Sequence, residues 1–386
     1  MRGMSEQLRE KSRQLLASAK RMVVKVGSGV LTGEKYEDVN RDVVARIAGQ
    51  VAALVAGGRK VAVVSSGSVA LGARELGVPR RGLPIPVQQA AAAVGQGKLI
   101  SLWAECLAEN GHKAGQVLLT HDDMANRRRF LNSRNTINAL FDFNVIPVIN
   151  ENDTVAVHEI KFGDNDTLSA RVTNLIEADL LAVLSDVDGL YTADPRLDKD
   201  ARKIDFVERV DEGIFALAGD SSSRTGLGGM ASKVKAASEA ARFGAATIII
   251  PGARGTSLSA AMAGEDVGTF FFPHEDPVSS KKHWIEYTLK AKGRLTVDKG
   301  AMEAVLKKGK SLLASGVVAV EGDFDTGEAV TLAGPDGAQF GKGLVNYNSS
   351  DMEKIKGHKS SDIENILGYK FYDEVVHRDD MAILRQ

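Results

Sequence analysis

Apolar strands alternating with glycine-terminated amphipathic helices predict an α/β fold. The expected architecture is an open, mainly parallel sheet sandwiched by helices, with a small β-rich domain at the carboxyl end. Three observations lead there. Short apolar runs stop abruptly in small polar residues, as buried parallel strands do at the sheet end where ligands bind. Helical stretches separate those runs, so strand and helix alternate. Beyond about Lys290 the helices shorten, and short β-branched strands flanked by glycine recur at near-regular spacing.

The 386 residues suffice for two domains, placed at 18–275 and 290–372 with the boundary between Phe272 and Lys290. A hydrophobic content of 44% and a charged content of 26% are ordinary for a globular protein. The formal net charge of -1 argues against non-specific nucleic-acid binding as the main activity. Cys106 is the single cysteine, which excludes an intrachain disulfide and a cysteine-based metal cluster and fits a cytoplasmic, reducing compartment. Its helical setting between Glu105 and Leu107 points to packing, not nucleophilicity. The segment before Arg21 is too polar for a signal peptide or a membrane span and reads as a short amphipathic lead-in helix.

Taken in order, Arg21 to Val26 is the first strand and runs into Gly27-Ser28-Gly29. Asn40 caps a helix whose Val43, Val44, Ile47, Val51, Leu54 and Val55 form one stripe, and Gly57-Gly58 ends it. Val61 to Val64 is a strand that stops in Ser65-Ser66-Gly67-Ser68. Pro79, Pro84 and Pro86 interrupt the next helical material before a long Ala-rich helix from Val87 to about Asn110. A strand at Gln116 to Leu119, a helix at Phe130 to Phe141 and a strand at Val145 to Ile149 follow. Leu168 to Ala178 reads as a helix and Leu180 to Leu184 as a strand ending in Ser185-Asp186. A Gly/Ser-rich segment, Gly219 to Gly229, opens a helix from Met230 to Phe243, and Thr247 to Ile250 is another strand.

Three polar clusters sit where ligands should bind. Lys25-Val-Gly-Ser-Gly29 is a strand-to-glycine turn whose backbone N–H groups can approach an anion. Its lysine precedes the glycines, so it is not a Walker A loop. Gly33 is misplaced for a dinucleotide fingerprint, and the second strand ends in serines where an acidic ribose partner would be needed, so a Rossmann dehydrogenase is rejected. As a mere tight turn the loop would leave Lys25 as a costly lysine in an apolar strand. Gly226 to Lys233 repeats the pattern: a lysine at a helix start opposes the macrodipole, and a phosphate ligand would rationalise it. Between them, Asn150-Glu-Asn-Asp153 and Asp164-Asn-Asp166 are either Asx-rich loops or a site.

Together with Gly189-Leu-Tyr-Thr-Ala-Asp-Pro195, these motifs resemble the glutamate 5-kinase family of the amino acid kinase superfamily. The likeness runs from about Met22 to the end of the chain. It includes a tail, Gly300 to Leu306 through Gly322-Asp-Phe, that resembles a PUA domain. The resemblance implies the amino acid kinase fold for 18–275, a PUA fold for 290–372, and ATP-dependent phosphorylation of L-glutamate to L-glutamyl 5-phosphate, the first step of proline biosynthesis. Lys25 and Lys233 match the pair that stabilises the transferring phosphoryl group, and Asp166 matches the acid that holds both. Ser66, Asp153 and Asn165 match glutamate-binding positions, with Asp164 beside them. Ser185, Asp186, Leu227, Gly228, Gly229 and Met230 match the nucleotide site, with Lys25 and Lys233. Ser185 stands where relatives usually carry Thr, and Leu227 where they place a small hydroxyl residue, which puts in doubt a side-chain contact to phosphate there.

Glutamate's side chain is already ionised near neutral pH, its free pKa being about 4.3, so the reaction needs positive charge and positioning, not a general base. Asp153 or Asp164 would pair with the substrate ammonium, which an N-acetylated substrate lacks; this argues against an acetylglutamate kinase. Mg²⁺ is expected on the ATP phosphates; Asp164, Asp166 and Asp186 are candidate carboxylates, but no metal ligand is assigned. The family also implies feedback inhibition by proline and a homo-oligomer. Lys/Arg and Asp/Glu balance in the tail, which lacks interleaved aromatic and basic residues, so a structural or regulatory role ranks above RNA binding. Aspartokinase and uridylate kinase are rival readings within the superfamily, but neither usually carries such a tail. The segment His158 to Phe162 is expected to form a hairpin covering glutamate.

Overall fold

The computed structural model describes residues 2–32, 39–79, 82–155, 165–219, 229–252, 257–274, 291–370 and 372–384. The chain divides into two compact units, Met1–Ala125 with Asn132–Glu275, and Asn126–Leu131 with Asp276–Gln386.

In the larger unit, helix α1 (Arg2–Ser18) comes first. It is docked rather than merely leading in: Leu16 is buried in the sheet's own core, and Arg9 and Arg13 donate to Asp266 (3.0 Å) and the Gly264 carbonyl (3.1 Å). Strand β1 (Arg21–Val26) follows, then one turn of helix, α2 (Ser28–Thr32), inside the glycine loop. The Asn40 side chain accepts from the N–H groups of Asp42 and Val43 at the start of α3 (Arg41–Ala56), and Gly58, at φ 85°, carries the left-handed exit. Strand β2 (Lys60–Ser65) leads to α4 (Ser68–Glu75). The long α5 (Ile85–Ala108) takes up Pro86 in its first turn, where a missing N–H breaks no helical hydrogen bond.

Next come β3 (Lys113–Leu119), α6 (His121–Ala125), α7 (Arg127–Asp142, of which the residues from Asn132 on belong to this unit), β4 (Val145–Glu151), α8 (Asn165–Leu175) and β5 (Leu180–Ser185). Short β6 (Leu190–Tyr191) pairs with β7 (Lys203–Ile204) apart from the main sheet. The unit finishes with β8 (Phe206–Val207), α9 (Glu212–Leu217), α10 (Met230–Arg242), β9 (Ala246–Pro251), α11 (Ser257–Met262) and β10 (Thr269–Phe271).

The main sheet runs β3-β4-β2-β1-β5-β9-β10-β8. Every pairing from β3 to β9 is parallel, and β10 turns antiparallel against β9. Pro147, which has no N–H to give, lies in β4, and the β4–β2 ladder starts only beyond it at Val148. Strand periodicity sorts the two faces. Met22, Val24 and Val26 join the core that contains Val44 and Ile47 of α3 and Trp103 and Leu107 of α5. Val23 and Lys25 take the opposite face, covered by α8 and α10. The chain leaves β1 toward β2 on one side, while its other neighbour β5 continues toward β9. The carboxyl ends of β1 and β5 therefore flank a topological switch point, the place where such sheets form a crevice.

The smaller unit contains β11 (Gly293–Val297), α12 (Lys299–Lys308), β12 (Leu312–Leu313), β13 (Val317–Gly322), β14 (Ala329–Ala333), β15 (Gln339–Leu344), α13 (Ser349–Ile355), α14 (Ile363–Leu367), β16 (Glu374–Val376) and β17 (Met381–Ile383). Its five-stranded sheet has the order β13-β11-β14-β15-β17, and β12 pairs separately with β16. Leu295, Val297, Val330, Leu332, Val345 and Tyr347 are among the buried residues at its centre. The tail sequence His377-Arg378-Asp379-Asp380 forms a 3₁₀ turn between β16 and β17. The His377 ring accepts from the Asp379 N–H at 3.3 Å, and the Arg378 N–H donates to Ser311 Oγ at 3.1 Å.

Candidate active site

Lys25 sits one residue before the end of β1, on the face that α8 covers, and its ammonium meets Asp166 Oδ1. The other oxygen, Oδ2, faces the Lys233 ammonium at 3.4 Å and accepts from Ser232 Oγ at 2.7 Å. Ser232 Oγ is also 2.7 Å from the Gly229 carbonyl, to which Lys233 donates at 3.4 Å. All three charged groups are out of solvent, with Lys25 4%, Asp166 0% and Lys233 5% exposed. Burial by itself would raise the Asp166 pKa, but the two ammonium groups and the Ser232 hydroxyl more than reverse that and hold it at about 2. The arrangement places two cations on one acid between the N-terminal turns of α8 and α10, where the helix ends add positive potential. Asp166 is the second residue of α8, and its carboxylate is turned to the lysines, not to a capping role.

The glycine loop lies against the end of β5. The Gly27 N–H donates to the Leu184 carbonyl at 3.2 Å, and a Cβ at Gly29 would lie 3.3 Å from Asp186 Oδ2. Ser185 is buried and donates to Asp186 Oδ1 at 3.1 Å, while Asp186 itself is exposed. Gly229 caps α10 and Met230 begins it. These residues meet where the switch point opens, next to the lysine pair.

One residue before Asp166, Asn165 faces the ends of β2 and β4. Its Nδ2 donates to Ser66 Oγ (2.7 Å) and to Asn150 Oδ1 (3.0 Å). Asn150 Nδ2 donates in turn to Gln96 Oε1 (2.8 Å) and Ser68 Oγ (3.3 Å), and Ser68 Oγ donates to Asp153 Oδ2 at 3.4 Å. Burial raises the Asp153 pKa, and the Ser68 hydroxyl offsets part of that rise. Beneath Ser66, the Trp103 indole N–H donates to Ser65 Oγ at 2.8 Å. Asn165 Oδ1 is buried and has no hydrogen-bond partner among the described residues.

The structure thus brings Lys25, Asp166 and Lys233 into one cluster, and links Ser66, Asn165 and Asp153 through Asn150 and Ser68. Ser185 and Asp186 stand beside the glycine loop. Asp164, Leu227, Gly228 and the His158 to Phe162 segment lie outside the described residues. Gln96, Ser68 and Ser232 carry no role in the sequence reading. Ser232 was within reach, since it adjoins Lys233, whereas nothing in its own surroundings marks Gln96. Cys106 is buried in the core, and burial pushes its thiol pKa up, as expected for packing.

Among the described residues no cluster of three or more His, Cys, Asp or Glu side chains could hold a metal ion. Both Asp166 oxygens are committed to cations, which removes it as a metal ligand. Asp186, exposed beside the glycine loop, is a carboxylate that a metal ion carried on phosphates could reach. None of the described helices is long and apolar enough to cross a membrane.

A profile described as the amino acid kinase family matches residues 20–251, and one for the PUA domain matches residues 293–367. The glutamate 5-kinase of Geobacter metallireducens is 51% identical over 370 residues, covering 96% of this chain and 99% of that protein. That of Syntrophotalea carbinolica is 49% identical over 371 residues, with 96% and 99% covered. Among solved structures, a carbamate kinase from Giardia lamblia bound to AMP-PNP is similar over 67% of this chain and 99% of its own, at 20% identity and a TM-score of 0.48.

Proposed function

This chain belongs to the glutamate 5-kinases of the amino acid kinase family, and from that membership we propose how its residues phosphorylate the side-chain carboxylate of L-glutamate. A carboxylate oxygen attacks the γ-phosphorus of ATP, the bond to the β–γ bridging oxygen breaks, and ADP leaves. The product is L-glutamyl 5-phosphate, which enters proline biosynthesis. The buried Lys25–Asp166–Lys233 cluster carries this reading.

Phosphoryl transfer asks the protein for placement and for charge at the three equatorial oxygens. Lys25 and Lys233 supply that charge from opposite sides of the switch point. Asp166 keeps both ammonium groups in place before substrate arrives, so little reorganisation is left to the reaction itself. Bound Mg²⁺ would neutralise phosphate charge. Ser185, Asp186, Gly229 and Met230 hold the nucleotide in this reading, with Leu227 and Gly228 of the same loop. Ser66 and Asn165 hold glutamate, and Asp153, with Asp164, pairs with its ammonium.

Hydroxamate formation with ATP tests the assignment. L-glutamate should react and aspartate or N-acetylglutamate should react little, and equal rates with N-acetylglutamate would refute the ammonium pairing. Proline should inhibit in the same assay by competing with glutamate, and inhibition unchanged by saturating glutamate would refute a shared site. We assign the PUA domain a structural or regulatory role and expect the chain to form a homo-oligomer. Salt-sensitive RNA affinity, or a monomer by light scattering, would count against these two expectations respectively.

A further inference from the structure

Asparagine side chains are ambiguous hydrogen-bonding groups: one end donates and the other accepts, and a flip exchanges them. In this site the ambiguity is removed by a chain of contacts. Asp153, once ionised, can only accept, so Ser68 Oγ must spend its single proton on Asp153 Oδ2. Ser68 Oγ is then an acceptor toward Asn150, and the amide end of Asn150 must face it, as it also faces Gln96 Oε1. Asn150 is therefore left with its oxygen toward Asn165, whose own amide end turns to Asn150 and Ser66. Every proton on both amides is committed. What remains is Asn165 Oδ1, an acceptor on a side chain 8% exposed, without a partner among the described residues.

The two anchors of this chain, Ser68 and Gln96, sit on neighbouring helices that touch backbone to backbone. A Cβ at Gly72 of α4 would lie 1.7 Å from the Ala91 carbonyl oxygen of α5, and one at Gly95 of α5 would lie 1.9 Å from the Ser68 carbonyl oxygen. The glycines let the helices close on each other, which sets Ser68 at the start of α4 and Gln96 on α5 within reach of Asn150.

We propose that Gln96 is a specificity-determining positioning residue: together with Ser68 it polarises the amide chain so that Asn165 presents only an acceptor to the substrate. The group that fits is a protonated amine, which brings several donors. The inference rests on the proposed reaction and deepens it, because it assigns recognition of the amine to Asn165 as well as to Asp153. Gln96 does not touch the substrate and acts through Asn150.

The test uses the full-length chain with Gln96→Leu, Gln96→Glu and Ser68→Ala, comparing KM for glutamate with the inhibition constant of glutarate, the same dicarboxylate without the amine. Losing the acceptor at position 96 strands one Asn150 amide proton and leaves only the 3.3 Å contact to Ser68 to hold that amide's orientation. A mispaired buried polar group should then raise the glutamate KM roughly tenfold to a hundredfold. Glutarate inhibition and the KM for ATP should stay within about threefold, since neither reads the amine. Gln96→Glu keeps an acceptor oxygen and should restore discrimination, while Ser68→Ala should lose it in the same direction as Gln96→Leu. Equal weakening of glutamate and glutarate, or unchanged discrimination in Gln96→Leu, would overturn the inference. Glutamate turnover by the unmodified chain tests the reaction by itself, so the two can fail separately.

Discussion

Replacing Asp166 with asparagine removes one negative charge and almost no volume from a side chain that is 0% exposed. Lys25 and Lys233, 4% and 5% exposed, would then share a dry site with no counter-ion between them. Removing one partner of a buried ion pair costs about 3–5 kcal/mol, because the remaining charge is stranded. Catalysis should suffer through placement. Misplacing even one preorganised donor costs about 10²–10³ in kcat, and here two lysines lose their shared anchor. Asp166→Asn should therefore lower kcat in the hydroxamate assay at least about a hundredfold, with smaller changes in the KM for glutamate. It should also unfold at lower urea concentration, and ATP should restore more stability than in the unmodified protein, because the phosphates can stand in for the lost carboxylate. The pH dependence gives a further signature. The Asp166 pKa is held at about 2, below its ordinary 3.8, so its contribution to stability is complete above the ordinary value and is lost as pH falls from there toward 2. The variant should lack that acid limb. A variant with kcat within threefold of the parent, or ATP stabilisation no larger than the parent's, would refute the role given to Asp166.

Two further outcomes follow from the same geometry. Because burial raises the Asp153 pKa, kcat/KM for glutamate should fall as pH drops through that raised value, while Asp153→Asn should bind glutamate weakly without that limb; an identical limb in the variant would assign the titration elsewhere. Gly72→Ala would force a Cβ to within 1.7 Å of the Ala91 carbonyl oxygen, and should destabilise the protein by about 1–3 kcal/mol or more in a urea titration. Unchanged stability would mean that α4 and α5 do not pack this closely in solution.

Six of the main sheet's eight strands were legible because an apolar run stops in polar residues or glycine, whereas β8 and β10, two and three residues long, carry too short a run to register. Lys25 was legible for a related reason: a lysine inside such a run demands a partner. That the partner also anchors Lys233 came from family resemblance, since nothing in the residues around Asp166 says what lies across from it. Asn150 was visible as part of a polar cluster but not as a relay, because its partners Gln96 and Ser68 are 54 and 82 residues away in the chain. Gln96 was invisible; on an Ala-rich helix a glutamine is an ordinary surface residue until the fold turns it inward. The docking of α1 was missed in the same way, since Arg9 finds Asp266 only 257 residues later. In the smaller unit, β12, β16 and β17 are two or three residues long, too short for alternation to register.

The position of β1 has a consequence for how the chain is made. It is the strand that delivers Lys25, and it lies in the interior of the sheet between β2, which follows soon after it, and β5, which does not. During synthesis at roughly 5–20 residues per second, β1 must wait on the order of ten seconds or more for β5 to leave the ribosome. Lys233, on a later helix, emerges later still. Until then one edge of β1 is unpaired, and Lys25 has no acid to face until α8 appears. The domain therefore assembles its charged centre late and from widely separated parts. A nascent chain that stops short of α10 would hold the glycine loop and the residues proposed to bind glutamate but lack the second lysine of the proposed phosphoryl-transfer pair.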